Sequence, residues 1–409
     1  MVRYRALWVL PMTGPPLRDG WVTVDHGRVI ACGSTARSKP PDEGISEIDL
    51  GHVAILPGLV NAHTHLELSY LRVQVPAGST FIDWIRALLA ARRQYPDPKA
   101  PEILDGVDRG IAEAVRSGTA IVGEISNTLV TVAPLVRSPL AAVVFRELIG
   151  FNAPDPVALV ERAWNGISAL VPTERVRASL AAHAPYSVAP SVFRAIRQAV
   201  RRDPSARCSV HVSESAEEVE FIRTADGPWR ALLEDLGSWD PAWVAPGVSP
   251  VEYLDDNNVL DGHLLAVHGV QMTRADLSRL VARGTTLVTC PRSNIHTGAG
   301  TPPIDAFYQS GVRVAVGTDS LASSPDLNVF AELATMRALA SSVPASRLLD
   351  SATRQGARAL GFDGEFGTIE PGKRARLLAV NVPPGSDDVE EYLVSGIEPE
   401  QIRWIGEPV

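Results

Sequence analysis

Apolar, β-branched segments recur along the middle of the chain and alternate with segments of helical periodicity. The helical segments, such as GVDRGIAEAVRSG and MTRADLSRLVARG, carry apolar residues at i, i+3 and i+4 spacing. Strands that alternate with helices pair in parallel, and eight such units close a barrel. The strand-like segments number eight and are LVNAHTH (59–65), TAIVGEI (119–125), AAVVFRELI (141–149), VRASLAAHA (176–184), CSVHVSES (208–215), LLAVHGV (264–270), TTLVTCPRS (285–293) and RVAVGTDS (313–320).

This pattern predicts an α/β protein with a (β/α)8 TIM barrel over residues 57–364. An open doubly wound sheet is the alternative, but no Gly-rich phosphate fingerprint follows any of the strands. Residues 1–56 and 365–409 differ from the middle, because both read as short β-like pieces joined by Gly/Pro turns. We therefore expect the two chain ends to pair into a small composite β-sandwich beside the barrel.

Composition narrows the class of protein. The chain of 409 residues is 45% hydrophobic and 21% charged, which is typical of a soluble globular enzyme. A formal net charge of −9 without basic runs argues against a nucleic-acid or anionic-membrane partner. Three widely spaced cysteines indicate neither a disulfide framework nor a cysteine zinc site. The first apolar run is short and interrupted by Pro11, so we expect a β-structured N-terminus and a cytoplasmic location.

Polar residues that bind metals or move protons fall at the predicted strand ends. In a TIM barrel the active site is built at the carboxyl ends of the strands, so these residues are expected to meet at one rim. Five of the nine histidines are among them, which chance placement does not readily explain. The residues are His63 and His65 on strand one, His183 on strand four, His211 on strand five, His268 on strand six and Asp319 on strand eight.

Three imidazoles and one carboxylate suit a borderline divalent ion with one position left open for water. We assign His63, His65, His211 and Asp319 as ligands of a single ion, with Zn²⁺ preferred and Fe²⁺ as the alternative. Glu214 follows His211 by three residues, so the chain must turn there for its carboxyl to reach over the bound water. The other interpretation of Glu214 is an N-terminal charge of the helix that begins near AEEVEFI.

The combination HTH, HAPYS (183–187), HVSE (211–214), a strand-six histidine and GTDS (317–320) resembles the mononuclear deaminases of the amidohydrolase superfamily. The resemblance covers essentially the whole chain and implies hydrolytic removal of an amino group from a purine, pyrimidine or related ring. Binuclear members bridge two metals with a carboxylated lysine at the end of strand four. Here that position is His183, and Lys39, Lys99 and Lys373 lie away from the strand ends, which favours one metal. The resemblance also implies a small-molecule substrate and a homodimer.

Within this group the chain resembles aminodeoxyfutalosine deaminases in HTHLELS, HVSES and CPRSN (290–294). That likeness implies conversion of aminodeoxyfutalosine to futalosine and ammonia in menaquinone biosynthesis. Deaminases of S-adenosylhomocysteine, methylthioadenosine or adenosine share HAPYS and are the alternative. Their substrate-binding glutamate after strand one has no clear equivalent, because FIDWIRALL (81–89) occupies that region. A chlorohydrolase acting on a triazine-like ring, and a metal-binding protein without activity, are the remaining alternatives.

The resemblance also implies roles for individual residues. Asp319 would bind the metal and orient the attacking water, Glu214 would protonate the ring nitrogen, and His268 would donate to the oxygen that adds to the ring. His183 would contact the substrate, or else simply order HAPYS. Further candidates for substrate binding are Trp229, in the long segment between strands five and six, and the strand-end residues Arg146, Glu147 and Arg292, although Arg146 and Glu147 are also placed to pair with each other.

Overall fold

A computed structural model describes residues 1–34, 44–170 and 173–406. Within these ranges the chain forms fifteen strands. They are β1 (Val2–Val9), β2 (Leu17–Asp25), β3 (Arg28–Ser34), β4 (Ser46–Asp49), β5 (Val53–Pro57), β6 (Leu59–Thr64), β7 (Thr119–Ser126), β8 (Ala141–Leu148), β9 (Val176–Ala182), β10 (Cys208–Val212), β11 (Leu264–His268), β12 (Thr286–Thr289), β13 (Arg313–Val316), β14 (Arg376–Asn381) and β15 (Ile402–Gly406).

Helices connect the strands and cover their outer faces. Their starts follow local sequence signals: proline opens several of them, and Thr273 and Asp276 form a reciprocal capping box at the start of one. They are α1 (Phe81–Arg92), α2 (Pro101–Arg116), α3 (Val132–Arg137), α4 (Pro156–Ser168), α5 (Pro190–Val200), α6 (Ala216–Thr224), α7 (Pro228–Asp235), α8 (Pro250–Asp256), α9 (Arg274–Arg283), α10 (Pro291–His296), α11 (Ile304–Ser310), α12 (Val329–Leu339), α13 (Ala345–Ser351), α14 (Arg354–Ala359) and α15 (Val389–Leu393).

Strands β6 to β13 form the predicted eight-stranded parallel barrel, each pairing with its neighbour in chain order. Closure occurs between β6 and the residues after β13, where the backbone N–H groups of Thr318 and Asp319 both donate to the His63 carbonyl at 3.1 Å. Gly317 permits this approach, since a Cβ atom there would lie 2.7 Å from the same carbonyl oxygen. The barrel prediction is confirmed, and its closing seam runs through a predicted metal ligand.

The barrel strands are apolar on both faces because both faces are covered. Alternate residues of β8 show this: Val143 and Phe145 belong to the core inside the barrel, whereas Ala142 and Val144 pack in the layer beneath the helices. This alternation decides which side chains at the strand ends face the site.

The two chain ends pair, as predicted, through antiparallel β5 and β14. The strands form one seven-stranded mixed sheet in the order β15-β14-β5-β1-β2-β3, with β4 paired to β1 beside this path, rather than two separately bonded sheets. The reason is that β1 shares one edge between two partners, β4 at Val2–Arg5 and β5 at Trp8–Val9. Side chains from five of these strands enclose one core that includes Val22, Ile55 and Leu377. Division of the chain into two domains stays a prediction.

Several strands end earlier than the apolar pattern suggests. Strand β12 stops at Thr289 and is followed by helix α10, so Arg292 lies on a helix and not at a strand end. The long segment between Glu214 and His268 contains the three helices α6, α7 and α8.

None of the helices in the described ranges is long and apolar enough to span a bilayer.

Candidate active site

The first two candidate ligands lie at the end of β6. His63 is the fifth residue of that strand, and His65 follows directly after it. The chain then turns into a 3₁₀ helix, Leu66–Leu71, whose first two N–H groups donate to the Glu124 carboxyl of β7 at 2.7 and 3.3 Å. This contact caps the turn and holds His65 towards the barrel axis.

Four residues predicted as ligands converge at this rim. The distances from Asp319 Oδ1 to His65 Nε2 and to His63 Nε2 are 3.4 and 3.8 Å. The ring centroids of His63 and His211 are 4.9 Å apart. Potential ligand atoms of His63, His65 and Asp319 all lie within 4.8 Å of one another, as do those of His63, His211 and His268. His63 is therefore the centre of the cluster.

His211 is oriented by the neighbouring strand end. Its Nδ1 lies 2.8 Å from the His183 backbone carbonyl, which can only accept, so Nδ1 carries the proton. The lone pair is left on Nε2, as a metal ligand requires.

Asp319 is held by hydroxyl groups on its outer oxygen. Oδ2 accepts from Ser293 Oγ at 2.5 Å and from Ser323 Oγ at 3.0 Å, so that Oδ1 remains directed at the histidines. The backbone of Asp319 has φ = 59°, and His268 has φ = 78°. Left-handed backbone at non-glycine residues is strained and concentrates at functional sites, as it does here.

Glu214 reaches the site because the chain reverses after β10. Ser213 adopts φ = 52°, and the N–H groups of Ser213 and Glu214 both donate to the Glu218 carboxyl at 2.9 Å. Glu214 Oε2 thereby lies 3.5 Å from His268 Nε2. The turn needed to bring Glu214 over the cluster is present, and Glu218 of α6 holds it.

The cluster has the donor set of a divalent-metal site. His63 is fully buried, and neither of its ring nitrogens has a hydrogen-bond partner among the described residues. A buried nitrogen without a partner is unfavourable, and an ion bound to it would remove that penalty. Together with His65, His211 and Asp319, it supplies the three imidazoles and one carboxylate that a zinc-type ion prefers.

Electrostatics keep these groups in the forms that bind a metal. Burial, helped by the nearby His211 and His65, lowers the pKa of His63 well below 6.5. The imidazole is therefore neutral, as a ligand must be. Burial acts to raise the pKa of Asp319, but His65, His268 and the Ser293 hydroxyl lower it below 3.8. Asp319 is consequently an ionised carboxylate at neutral pH.

Glu214 has the opposite character. Burial, with further contributions from Asp319 and Glu218, raises the pKa of Glu214 well above 4.5. The pKa values of the two carboxyl groups are therefore shifted in opposite directions, an arrangement that separates the base and acid roles of hydrolytic catalysis.

Removing the Ser293 hydroxyl tests how Asp319 is positioned. We expect Ser293→Ala to lower metal affinity or kcat/KM by about 10- to 100-fold, because outer partners orient the ligands of a metal site. The matched control is Ser323→Ala, where the lost bond is longer and the expected effect is smaller. Competition with a chelator and steady-state kinetics measure the two quantities. Unchanged values in Ser293→Ala would show that its hydroxyl does not position Asp319.

A cavity of about 550 Å³ opens beside the cluster and is large enough for a small-molecule ligand. Its inner end contains Glu147 and His183, and one wall is the stacked pair of Tyr186 and Trp229, whose ring centroids are 3.6 Å apart. The remaining lining is largely apolar and comes from α1, α7 and the segment after β8. The ring centroids of His183, in this lining, and His211 are 5.2 Å apart, so the inner end of the cavity lies next to the histidine cluster.

The structure brings only some of the predicted substrate residues to this cavity. Glu147, His183 and Trp229 line it, whereas Arg146 and Arg292 do not. Arg146 neighbours Glu147 on β8 and so points to the opposite face. Arg292 makes a bidentate ion pair with Asp326, at 2.7 and 2.8 Å. Both arginines therefore belong to the supporting structure around the site.

Sequence reasoning missed several residues that shape the site. Glu218, which holds the Glu214 turn, has the appearance of an ordinary charge in the first turn of a helix. Ser293 and Asn294 were noted only as part of a shared motif; Asn294 Nδ2 lies 3.0 Å from His268 Nδ1. Arg92, the last residue of α1, and Asn127, just after β7, are far apart in sequence and carry no local signal. Only tertiary contacts reveal these roles.

Residues 54–399 match the Amidohydrolase family, and the chain belongs to that family. At the end of β9, where binuclear members carry a lysine, this chain has His183. Lys99 and Lys373 lie elsewhere in the fold, and Lys39 lies outside the described residues.

Individual relatives are deaminases. The chain is 29% identical to a 5-methylthioadenosine/S-adenosylhomocysteine deaminase of Desulforudis audaxviator over 93% of this chain and 85% of the relative. Among solved structures, an adenosine deaminase from Xanthomonas campestris with bound zinc is 27% identical, with a TM-score of 0.80 and coverage of 98% and 90%. The Helicobacter pylori aminofutalosine deaminase in complex with methylthio-coformycin is 26% identical, with a TM-score of 0.84 and coverage of 96% and 95%.

Proposed function

We propose that this protein is a zinc-dependent hydrolytic deaminase of a 6-aminopurine nucleoside, with aminodeoxyfutalosine as its substrate and futalosine and ammonia as products. On this proposal it acts in menaquinone biosynthesis in the cytoplasm. The observation that carries the proposal is the convergence of Asp319 on His65, at 3.4 Å, and of Glu214 on His268, at 3.5 Å, within one histidine cluster beside a cavity of about 550 Å³. Relatives that deaminate purine nucleosides support the same reaction class.

His63, His65, His211 and Asp319 would hold the ion. A zinc ion in such a site lowers the pKa of a water molecule towards neutrality and so supplies the nucleophile. Asp319 would accept a hydrogen bond from the attacking water and direct it towards the ring carbon that bears the amino group. Glu214 would give its proton to the adjacent ring nitrogen, then take up one proton of the water and pass it to the departing amino group as the C–N bond breaks. The second water proton would restore the acid form of Glu214 as the C=O bond forms.

His268 is arranged as a hydrogen-bond donor. The Asn294 Nδ2 group donates to His268 Nδ1, so the ring proton resides on Nε2, which faces Glu214. Burial and the nearby His211 lower the pKa of His268 to about 3, so the ring remains neutral at physiological pH. A neutral Nε2–H group at this place stabilises the charge that develops on the oxygen as it adds to the ring.

The cavity lining favours aminodeoxyfutalosine, which carries an aromatic carboxylate beyond its sugar. The Tyr186 and Trp229 stack and the apolar lining suit an aromatic group, and the Arg162 side chain suits a carboxylate. The second candidate is deamination of methylthioadenosine or S-adenosylhomocysteine, which the Desulforudis audaxviator relative favours.

An ammonia-release assay on zinc-loaded protein separates these candidates. The panel contains aminodeoxyfutalosine, adenosine, methylthioadenosine, S-adenosylhomocysteine and guanine. The proposal predicts that kcat/KM is highest for aminodeoxyfutalosine. A higher value for methylthioadenosine or S-adenosylhomocysteine would support the second candidate, and no turnover of any aminopurine would overturn both.

The pKa of Glu214 predicts the pH dependence of the reaction. Glu214 must hold a proton in order to give one to the ring nitrogen. Because its pKa in the folded protein is raised well above 4.5, the proton is present at lower pH and is lost as pH rises through the raised value. We therefore expect kcat/KM to fall on an alkaline limb that lies well above pH 4.5. Measuring kcat/KM from about pH 5 to about pH 10 checks this; a value that rises across the range would assign Glu214 the role of a base.

A further inference from the structure

Glu147 carries an acceptor atom without a donor at the inner end of the cavity. Its side chain is only 4% exposed. Oε2 accepts a hydrogen bond from Asn127 Nδ2 at 2.8 Å, whereas Oε1 has no hydrogen-bond partner among the described residues. The nearby His211 Nδ1 lies 3.6 Å from Oε1, too far for a hydrogen bond, and its proton is already donated to the His183 carbonyl.

The orientation of this carboxylate is fixed by a chain of contacts. Arg92 Nη2 donates to Asn127 Oδ1 at 3.0 Å, which turns the amide so that Nδ2 faces Glu147. The backbone of Glu147 is held in β8 between two parallel neighbours. Oε1 is therefore presented at a fixed place in the cavity lining. Buried acceptors are normally satisfied, so this atom indicates a ligand that brings a donor.

The chemistry of that ligand follows from the position. An ionised carboxylate only accepts hydrogen bonds, so the ligand must offer O–H or N–H groups. Potential ligand atoms of Glu147, His183 and His211 lie within 4.8 Å of one another. Because His211 is a proposed metal ligand, Glu147 lies next to the place where the reaction would occur. When the amino-bearing carbon of a purine is at the centre, the hydroxyl groups of the attached sugar are donors that can reach this position.

We propose that Glu147 is a specificity-determining residue that accepts hydrogen bonds from the sugar hydroxyl groups of the nucleoside. The inference rests on the proposed function, since it takes the substrate to be an aminopurine nucleoside. Asn127 is a positioning residue that acts through Glu147, and Arg92 acts through Asn127.

The test compares the nucleoside that is turned over fastest with its 2′-deoxy and 3′-deoxy analogues. We measure kcat and KM for the wild type, Glu147→Gln and Glu147→Ala, together with the zinc content and Tm of each protein. The matched control is Arg162→Gln, which changes a charged residue that lines the same cavity. A general effect on the cavity changes kcat/KM for all three substrates by the same factor. Loss of a hydroxyl contact instead changes the ratio of kcat/KM between the ribose substrate and a deoxy analogue.

We expect the wild type to prefer the full ribose by about 10- to 100-fold in kcat/KM over at least one deoxy analogue, which is typical of a hydrogen bond to a charged group. In Glu147→Ala the preference should shrink to about 3-fold or less, mainly through KM for the ribose substrate, with zinc content unchanged. Arg162→Gln should keep the wild-type ratio of kcat/KM between the ribose substrate and its deoxy analogues.

A wild-type ratio that persists in both Glu147 variants would overturn the inference and leave the proposed function intact. Loss of zinc from Glu147→Gln would also overturn it, because it would assign the carboxylate to the metal site. A wild-type protein that deaminates no aminopurine nucleoside would overturn the proposed function and this inference together.

Discussion

Replacing Glu214 by glutamine is expected to lower kcat by about 10³- to 10⁴-fold without loss of the metal. Glutamine keeps the shape of the side chain but has no proton to give, and general acid–base catalysis contributes about 10²- to 10⁴-fold to rates. The upper part of that range is expected because Glu214 would serve both the ring nitrogen and the departing amino group. It is not among the proposed ligands, so zinc content should match that of the wild type.

Single-turnover kinetics and metal analysis of Glu214→Gln provide the measurement. The control is Glu220→Gln, an exposed acid on helix α6, which begins two residues after Glu214; we expect wild-type activity for this variant. A Glu214→Gln variant with more than about one tenth of the wild-type kcat would remove Glu214 from the mechanism. If zinc were lost as well, Glu214 would instead be a ligand.

The second large effect is expected for His63→Ala. His63 lies at the centre of the cluster, and its removal takes away one of three imidazoles that the ion would need. We expect the variant to lose most of its zinc on desalting and at least about 10³-fold in kcat/KM, since both the nucleophile and its orientation depend on the ion. Added zinc should raise the Tm of the wild type but not that of the variant, because only a bound ion stabilises the folded state.

The matched control for this variant is His263→Ala. His263 lies just before β11, at the opposite end of the strand that ends with His268, and its side chain is exposed. Full zinc retention by His63→Ala, with activity near that of the control, would show that the ion is bound elsewhere or not at all.

The placement of most site residues could be predicted from sequence because it follows from periodicity. Once the strands are identified, the histidines at their ends must meet at one rim, whatever the details of the loops. This reasoning also identified Asp319 and Glu214. The strand ends were predicted less accurately, because the apolar pattern gives no sign of the left-handed backbone at Ser213, His268 and Asp319.

Residues with long-range partners could not be predicted in this way. The sequence places Arg292 near a strand end without a local partner, yet it pairs with Asp326, which is 34 residues away. Arg146 and Glu147 are adjacent, but only the alternation of β8 decides which of them faces the cavity. In the terminal sheet, β1 pairs along one edge with both β4 and β5, and no local signal predicts that shared edge. Each of these outcomes depends on tertiary contacts rather than on local propensity.

The central claim is that this site replaces a ring amino group by an oxygen from water. The most direct measurement incubates zinc-loaded protein with aminodeoxyfutalosine in water enriched in a heavy isotope of oxygen, and follows the nucleoside by mass spectrometry and ammonia by a coupled assay. The account predicts one heavy oxygen in each product molecule, one ammonia per product, and neither after the zinc is removed. Unchanged nucleoside with fully zinc-loaded protein would contradict it, as would ammonia release without incorporation of solvent oxygen.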